Sequence, residues 1–338
     1  MIGSTLAGIA GILLIILVAH DAIRTTLSAS SSGLLTRGLT STLWFLLLSL
    51  HRRGKGHTML AASGAWITIS LIAFWMLMAW LGWFLLFCSD PQAVVNGTSK
   101  VTADLMERAY YAGYTLTTLG YGDYVPGNNH WRIAPGLAAA NGFFLFTVTL
   151  TYMLNVVANV TQKRQLALAM TALGQTPYQM LDTTADDGTF TPLVSQLQQM
   201  QSSINMVGQQ HLAFPILHYY HGESGDKALP LAIARLYQAL ALVCFACPAL
   251  APSTRAQLLI AQRSLHQFLE TLATDFIQPS SHMPDIPDLD ACARLPGFQK
   301  SAAEMQQHLA SLSHQKLLLA YVRKDGWQWQ DVWTAPAV

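Results

Sequence analysis

The sequence predicts an all-α membrane protein that carries a helical soluble domain at its C-terminal end. Only 11% of the 338 residues are charged, whereas about a quarter are charged in a typical soluble domain. The shortfall lies in the N-terminal half, and the C-terminal half is polar with helical segments separated by Pro, Gly and Asp clusters. We therefore predict three parts, at 1–58, 59–164 and 165–338.

Three uncharged stretches are long enough to cross a bilayer, which takes about 20 apolar residues. They cover residues 2–19, 61–88 and 133–162. The first would be an extra transmembrane helix, and the other two flank about 45 residues that resemble neither a membrane span nor a soluble domain.

A shorter apolar segment, residues 38–50, has basic residues on both flanks. Such a segment is typical of a helix that lies along the cytoplasmic membrane surface; a segment that re-enters the bilayer is the alternative. The Ser-rich residues 28–32 would be the hinge before it. With the N-terminus outside, the basic residues that border the apolar segments are all cytoplasmic: Arg24, Arg37, Arg52, Arg53, Lys55, Lys163 and Arg164.

The stretch between the second and third apolar segments contains the sequence TLTTLGYGD at residues 115–123. A ring of backbone carbonyl oxygens can replace the water around a dehydrated cation. Consecutive carbonyls point the same way only if the backbone alternates between ordinary and left-handed conformations. Gly120 and Gly122 can adopt the left-handed one without a Cβ penalty. Thr118 would add a hydroxyl oxygen, and Tyr121 would hold the loop open.

The residues before this loop, 102–116, are predicted to form a helix. Thr102 or Asp104 is available as its N-cap, and Glu107 lies in or near the first turn. The C-terminal end of the helix carries a partial negative charge, which favours a cation beside it.

Residues 115–126, TLTTLGYGDYVP, resemble the signature of the potassium channel family, with Leu119 where many members have Val. The resemblance covers residues 61–162 and implies an outer helix, a pore helix, a selectivity filter and an inner helix. Because the chain has one such loop and the family's filter needs four, it implies a homotetramer in the plasma (inner) membrane of a prokaryote. It also implies a selectivity filter formed by Thr118, Leu119, Gly120, Tyr121 and Gly122. Within it, the carbonyl oxygens of Thr118, Leu119, Gly120 and Tyr121 would bind K+ ions.

The resemblance also indicates how the filter is supported. Family members brace the acidic residue after the filter, here Asp123, from the pore helix; a carboxylic acid common on that helix is replaced by Tyr114. One hypothesis is that a pore-helix tyrosine hydrogen-bonds Asp123, and the alternative is that these tyrosines pack between subunits. The supporting residues would be Asp123, Tyr110, Tyr111, Tyr114 and Thr117.

The third apolar stretch would line the pore below the filter. Gly142 occupies the position where the family often has a gating glycine, although glycine also permits close helix packing. A spacing of four residues places an apolar row on one face of this helix, where it can form an inner constriction. That row consists of Phe146, Leu150, Leu154 and Ala158.

The C-terminal part is predicted to form helices at 191–211, 228–247, 253–277 and 298–322, with a further one at 165–173. It has no Rossmann-type glycine motif, so no organic cofactor is predicted. Three histidines, His211, His218 and His221, suggest a metal site or a proton sensor. An aromatic packing surface is the alternative.

The leading function is therefore a potassium channel subunit, with the lipid bilayer and copies of itself as partners. The alternative is a membrane sensor or receptor whose C-terminal domain binds an unknown ligand or protein. No catalytic constellation is visible, so we do not predict an enzyme. The net charge of +1 and the lack of a basic run give no reason to expect nucleic acid binding.

Overall fold

The computed structural model describes residues 2–28, 32–52 and 57–335. Most of the Ser-rich hinge and the basic residues Arg53 and Lys55 lie outside these ranges. The described chain is almost entirely helical. Its helices are α1 Ile2–Leu27, α2 Leu34–His51, α3 His57–Ala61, α4 Ser63–Phe87, α5 Leu105–Leu116, α6 Ala134–Thr171, α7 Pro177–Thr184, α8 Thr191–Ala213, α9 Leu229–Ala246, α10 Pro252–Asp275, α11 Asp290–Ala293, α12 Ala302–Ser311 and α13 Gln315–Lys324.

Four segments in the described part of the chain are long and apolar enough to cross a membrane. Ser4–Leu27, His57–Phe87 and Asn129–Thr171 coincide with the three predicted crossings. The fourth, Leu229–Ala246, is 89% buried inside the protein itself. A mostly apolar helix that is covered by protein is a core helix, so composition alone does not distinguish α9 from a membrane span.

The chain divides into two compact units. Unit 1 comprises Met1–Leu43 and Ala65–Val156, and unit 2 comprises Trp44–Gly64 and Val157–Val338. These boundaries differ from the predicted 1–58, 59–164 and 165–338, because residues 44–64 group with the C-terminal helices. Within unit 2 the Trp44 ring lies 5.5 Å from that of Tyr219.

In unit 1, a buried carboxylate joins three helices. Asp21, near the end of α1, is only 2% exposed and accepts hydrogen bonds from the backbone N–H of Leu35 (2.9 Å) and Thr36 (3.1 Å) in the first turn of α2. It also accepts from the Thr36 hydroxyl (2.6 Å) and from Trp75 Nε1 of α4 (3.0 Å). The carboxylate thus supplies partners to a helix N-terminus, where negative charge is favourable.

A short antiparallel pair of strands, β1 Val95–Asn96 and β2 Tyr124–Val125, joins the segments on either side of α5. The sequence did not indicate it, because each strand has only two residues and no alternating pattern. The pairing brings the segment after the TLTTLGYGD loop against the segment that precedes α5.

Unit 2 is a bundle of helices around α9, which packs against α7, α10, α12 and α13. Its core contains polar groups that find partners inside the protein. Arg235 is buried on α9 and donates to the carbonyl oxygens of Gly225 (3.2 Å) and Asp331 (2.8 Å). The amides of Gln238 and Gln315 hydrogen-bond each other reciprocally at 2.7 and 2.9 Å.

The predicted helices at 191–211, 228–247 and 253–277 correspond to α8, α9 and α10. Two predictions were wrong in detail. The helix predicted at 298–322 is two helices, α12 and α13, separated at residues 312–314. The helix predicted at 165–173 is not separate, because α6 continues without a break to Thr171.

Replacing Asp21 with Ala would leave two backbone N–H groups, a hydroxyl and an indole N–H without their buried acceptor. We expect Asp21→Ala to destabilise the protein by about 3 kcal/mol or more, measured as thermal unfolding of the full-length protein in detergent. Gly33→Ala should act on the same contact, since an added Cβ would lie 1.9 Å from Asp21 Oδ1. His20→Ala, at an exposed neighbouring position of α1, is the control; equal unfolding midpoints for the Asp21 and His20 variants would contradict the assignment.

Candidate functional site

The loop that follows α5 has an alternating backbone. Thr118 has φ = 61°, Gly120 has φ = 57° and Gly122 has φ = 81°, so every second residue lies in the left-handed region. Such alternation turns successive carbonyl groups toward the same side of the chain. For the two glycines this conformation carries no Cβ penalty. Thr118 adopts it as well, at a local cost that a non-glycine residue bears only where its surroundings fix it.

Hydrogen bonds to the last turns of α5 fix the beginning of the loop. The N–H of Thr118 donates to the Thr115 carbonyl at 3.0 Å, and the N–H of Leu119 donates to the Tyr114 carbonyl at 2.8 Å. The Thr117 hydroxyl donates to the Gly113 carbonyl at 2.9 Å. These bonds hold the left-handed Thr118 between two anchored neighbours.

Aromatic rings pack around the middle of the loop. The Tyr121 ring is parallel to that of Tyr110, with centroids 6.3 Å apart, and meets the Tyr114 ring edge-on at 5.6 Å. Tyr110 and Tyr114 in turn contact each other at 5.0 Å. Tyr121 therefore contacts α5 through two aromatic rings, and its role in holding the loop open stays a prediction.

The end of the loop is tied to α5 and to the β1 segment. The Tyr114 hydroxyl donates to the Tyr124 carbonyl at 2.8 Å, and the Asp123 carbonyl accepts from Gly97 N at 2.7 Å. The Asp123 carboxylate interacts with the hydroxyls of Tyr110 and Tyr114. The Tyr111 ring instead packs edge-on against Phe87 (4.9 Å) and Tyr114 (5.4 Å). Of the three tyrosines considered for Asp123, the structure thus brings two to it.

Helix α5 begins with a capping box. Asp104 accepts from the N–H of Glu107 at 2.8 Å, and Glu107 accepts from the N–H of Asp104 at 2.7 Å. Of the two residues considered as N-cap, Asp104 has the role, and Thr102 forms a β-bridge with Val95. Glu107 also accepts from the Tyr124 hydroxyl, which connects the helix start to β2.

Arg108 was not singled out from the sequence. It is only 7% exposed and donates to the carbonyl oxygens of Phe87, Ala103 (2.9 Å), Asp90 (2.8 Å) and Pro91 (3.0 Å). One guanidinium group thereby supplies hydrogen-bond donors to the carbonyl groups at the C-terminal end of α4 and in the segment that follows it. The available signal was an Arg directly before the uncharged run 109–116 of the predicted helix, since a charged residue beside such a run needs partners.

Gly142 on α6 lies against the end of α5. A Cβ added there would come within 1.8 Å of the Leu116 carbonyl oxygen, so no larger residue fits unless the backbone moves. Of the two roles considered for Gly142, this geometry favours close packing; a hinge role stays a prediction. Trp83 Nε1 donates to Asn141 Oδ1 at 3.1 Å and fixes α6 on α4.

The apolar row on α6 is exposed in the single chain. Phe146 is 61% exposed, Leu150 49% and Leu154 65%, and Ala158 is exposed as well. The opposite face packs against the rest of its unit and is buried, and consists of Leu145, Thr149, Tyr152 and Val156. The row is therefore available to face a cavity, other subunits or lipid.

The three C-terminal histidines do not form one site. His218 lies in a 3-10 helix, Pro215–Tyr219, that ends before His221, so the two histidines do not share one helix. The His211 and His218 rings are 4.9 Å apart, whereas His221 Nε2 lies 2.9 Å from His57 Nδ1 and His221 Nδ1 lies 3.1 Å from Asp325 Oδ2. In the described ranges, no group of three or more His, Cys, Asp or Glu is placed to hold a metal ion.

Burial governs the protonation of His211 and His218. Burial and the Lys163 charge lower the pKa of His211 from 6.5 to about 3. Burial, His211 and Lys163 lower the pKa of His218 well below its ordinary value. Both rings are neutral at neutral pH, which argues against a proton sensor there and favours the packing alternative.

A loop of alternating backbone between two long apolar helices, braced by a short helix, resembles the arrangement of a pore-loop membrane channel. A family model described as an ion channel matches residues 65–159, which covers α4, α5, the loop and most of the apolar part of α6. These findings support an ion channel domain in a membrane protein.

The chain is 28% identical over 324 residues to the uncharacterized membrane protein YdjJ of Bacillus subtilis (strain 168), an alignment that covers 95% of this chain and 94% of that protein. No solved structure matches the chain. The likeness therefore extends through both units, and the name of the relative assigns it to the membrane without naming an activity.

The lowered pKa of His211 predicts acid sensitivity. Between the folded value of about 3 and the unfolded value near 6.5, the unfolded chain binds the proton and the folded one does not, so stability falls as pH drops through this window. For His211 alone, the loss between pH ~7.5 and pH ~5 is about 2 kcal/mol.

Thermal unfolding of the full-length protein over this pH range tests the prediction. His211→Gln should flatten the pH dependence, whatever it does to stability at neutral pH. His282→Gln, at an exposed position, is the control. An unchanged slope in His211→Gln would show that this ring does not titrate on unfolding.

Proposed function

We propose that this chain is a subunit of a potassium-selective channel that conducts K+ passively across the membrane through a homotetrameric pore. The observation that carries the proposal is the alternating left-handed backbone at Thr118, Gly120 and Gly122 within the TTLGYGD sequence. This backbone aims successive carbonyl oxygens at one side of the loop, as an ion filter requires.

In this proposal the ligands of K+ are the carbonyl oxygens of Thr118, Leu119, Gly120 and Tyr121, together with the Thr118 hydroxyl. Potassium enters without most of its water because these oxygens replace the hydration shell. The loop needs lateral support to keep them apart, and the contacts of Tyr121 with Tyr110 and Tyr114 supply it from α5.

One chain contributes one loop, so a closed ring of four chains is required, and cyclic symmetry is the ordinary way to build it. The exposed apolar row Phe146, Leu150 and Leu154 supports this assembly. In a tetramer it would line the inner part of the pore, where rings of apolar side chains can gate by excluding water.

We further propose that the protein lies in the inner membrane of a prokaryote, with its N-terminus outside and unit 2 in the cytoplasm. The basic residues at the predicted inner ends of the apolar segments support this orientation, since cytoplasmic flanks carry an excess of Lys and Arg. They include Arg24, Arg37, Lys163 and Arg164. Unit 2 would then assemble or gate the tetramer.

The direct test is ion flux in liposomes that contain the purified protein. We expect K+ flux and little Na+ flux from the wild type. Gly122→Ala forces a Cβ into a left-handed conformation, which costs about 1 kcal/mol in each subunit, and it should lower K+ flux by at least about tenfold. Gly136→Ala is the matched control: an added Cβ meets no atom within 4 Å at either glycine, and only Gly122 has a positive φ.

Three results would count against the proposal. Equal K+ and Na+ flux in the wild type would contradict the proposed selectivity. A number of subunits other than four would contradict the proposed ring of four loops. A well-folded tetramer without flux would favour the alternative, a membrane sensor or receptor whose C-terminal unit binds a ligand or protein.

The link between Tyr114 and Tyr124 gives a further prediction. Tyr114→Phe removes the donor to the Tyr124 carbonyl and keeps the ring, so it should weaken the support of the loop by about 1–2 kcal/mol. We expect K+ currents in planar bilayers to decline faster than in the wild type, with the single-channel conductance retained. Tyr178→Phe, which also removes one hydroxyl but lies in unit 2, should behave as the wild type; identical current decay in both variants would contradict the role of Tyr114.

A further inference from the structure

Three histidine rings from separate parts of unit 2 meet beside the segment that leads into α4. His51 ends α2, His57 begins α3, and His221 follows the 3-10 helix Pro215–Tyr219. The centroid of the His57 ring lies 4.7 Å from that of His51 and 5.1 Å from that of His221. Imidazole is the side-chain group whose charge ordinarily changes between about pH 5 and pH 8, so the cluster can respond to pH in that range.

Hydrogen bonds order the protons of the cluster. An ionised carboxylate only accepts, so His221 donates to Asp325 Oδ2 through Nδ1 at 3.1 Å. A neutral His221 then has a lone pair at Nε2, which lies 2.9 Å from His57 Nδ1. His57 therefore donates to His221. This bond requires that the two facing nitrogens share a single hydrogen, because two N–H groups cannot donate to each other.

The same bond attaches α3 to the C-terminal part of unit 2. The indole ring of Trp327 lies nearly parallel to the His57 ring at 4.1 Å and to the His221 ring at 5.3 Å. Further along the chain, the Ser63 hydroxyl lies 3.1 Å from the Tyr219 carbonyl oxygen and donates to it. Of these contacts, the hydrogen bond between His57 and His221 is the one that joins two titratable rings.

The charges around the cluster leave little to balance added protons. Apart from the two neighbouring histidines, the ionisable groups that act on His57 are the carboxylates of Asp325 and Asp331. Each carboxylate also interacts with a buried cation, which is Lys163 for Asp325 and Arg235 for Asp331. Protons that bind to the three imidazoles therefore add positive charge that no further carboxylate offsets.

The cluster accommodates one proton better than two. A single imidazolium lies against the face of Trp327, which attracts a cation. A second proton places N–H against N–H between His57 and His221 and puts like charges on rings 5.1 Å apart. A histidine side chain in water binds its proton near pH ~6.5. The separated rings thus bind more protons at acid pH than the cluster does, and linkage then favours their separation.

We propose that the contact between His57 and His221 is a pH-sensitive switch, which opens when protons bind to the three-histidine cluster and thereby releases α3 from the C-terminal helices of unit 2. Because α3 precedes α4 directly in the chain, the release reaches the residues that enter the outer helix of the ion channel domain. The proposal concerns contacts within unit 2 and does not depend on whether the pore conducts.

Hydrogen–deuterium exchange of the full-length protein in detergent, measured by mass spectrometry, tests the proposal. Labelling at pH ~7.5 and pH ~5 is compared after correction for the chemical exchange rate at each pH. In the wild type, peptides that cover α3 and Trp327 should exchange at least about threefold faster at the acid pH. Peptides from the buried helix α9 should remain protected at both pH values.

His57→Asn separates the loss of a contact from the loss of a titration. The Asn amide lies about where imidazole Nδ1 lies, and it can donate to His221 Nε2 or, after half a turn, accept from it. The contact therefore survives protonation of His221. We expect the exchange of α3 in His57→Asn to lose its pH dependence, whatever its rate at neutral pH. His282→Asn, at an exposed position, and His211→Gln should keep the wild-type response.

Two results would overturn the proposal. Exchange of α3 in the wild type that does not respond to pH would show that the contact withstands protonation. An acid response of the same size in His57→Asn would show that the response originates elsewhere in the chain.

Discussion

The structure of unit 1 depends on a backbone that is left-handed at every second residue from Thr118 to Gly122. A backbone in this conformation forms no regular secondary structure, and its carbonyl groups do not accept the hydrogen bonds of a helix or a sheet. A loop of this kind persists only if its ends are fixed from outside. Helix α5 fixes the first end through backbone hydrogen bonds, and Tyr114 together with the two-stranded pair fixes the second.

Two buried ionisable side chains, Asp21 and Arg108, complete this framework, and both are paired with backbone groups. Asp21 caps the beginning of α2, and Arg108 satisfies carbonyl oxygens around the end of α4. Helix termini carry partial charges of the complementary sign, so each side chain finds an opposite charge without a second ionised residue. Asp21 and Arg108 therefore act as junctions that fix helix termini to neighbouring segments.

The sequence was most informative where one local rule decides the structure. The length of the apolar stretches predicted the three long helices. Asp104 and Glu107 indicated where α5 begins, and Gly120 and Gly122 indicated two left-handed positions of the loop. It failed where partners are distant in the chain. His221 meets His57 and Asp325, which are 164 and 104 residues away, and no spacing rule connects them. The left-handed conformation of Thr118 was not predicted, because glycine is the residue type from which that conformation is ordinarily inferred. Helix α9 resembles a membrane span because burial in protein and burial in lipid favour the same apolar residues.

The uncovered faces of unit 1 differ in a way that bears on assembly. The exposed face of α1 carries large apolar residues such as Leu6, Leu13 and Ile16, a surface that suits lipid. On α6 the exposed row Phe146, Leu150 and Leu154 adjoins a second exposed row of polar side chains: Thr147, Thr151 and Asn155. An exposed Asn at membrane depth is costly against hydrocarbon and is tolerated where it meets protein or water. The exposed faces of the two helices therefore suit different surroundings, which supports the proposal that the exposed row on α6 lines the inner part of a pore.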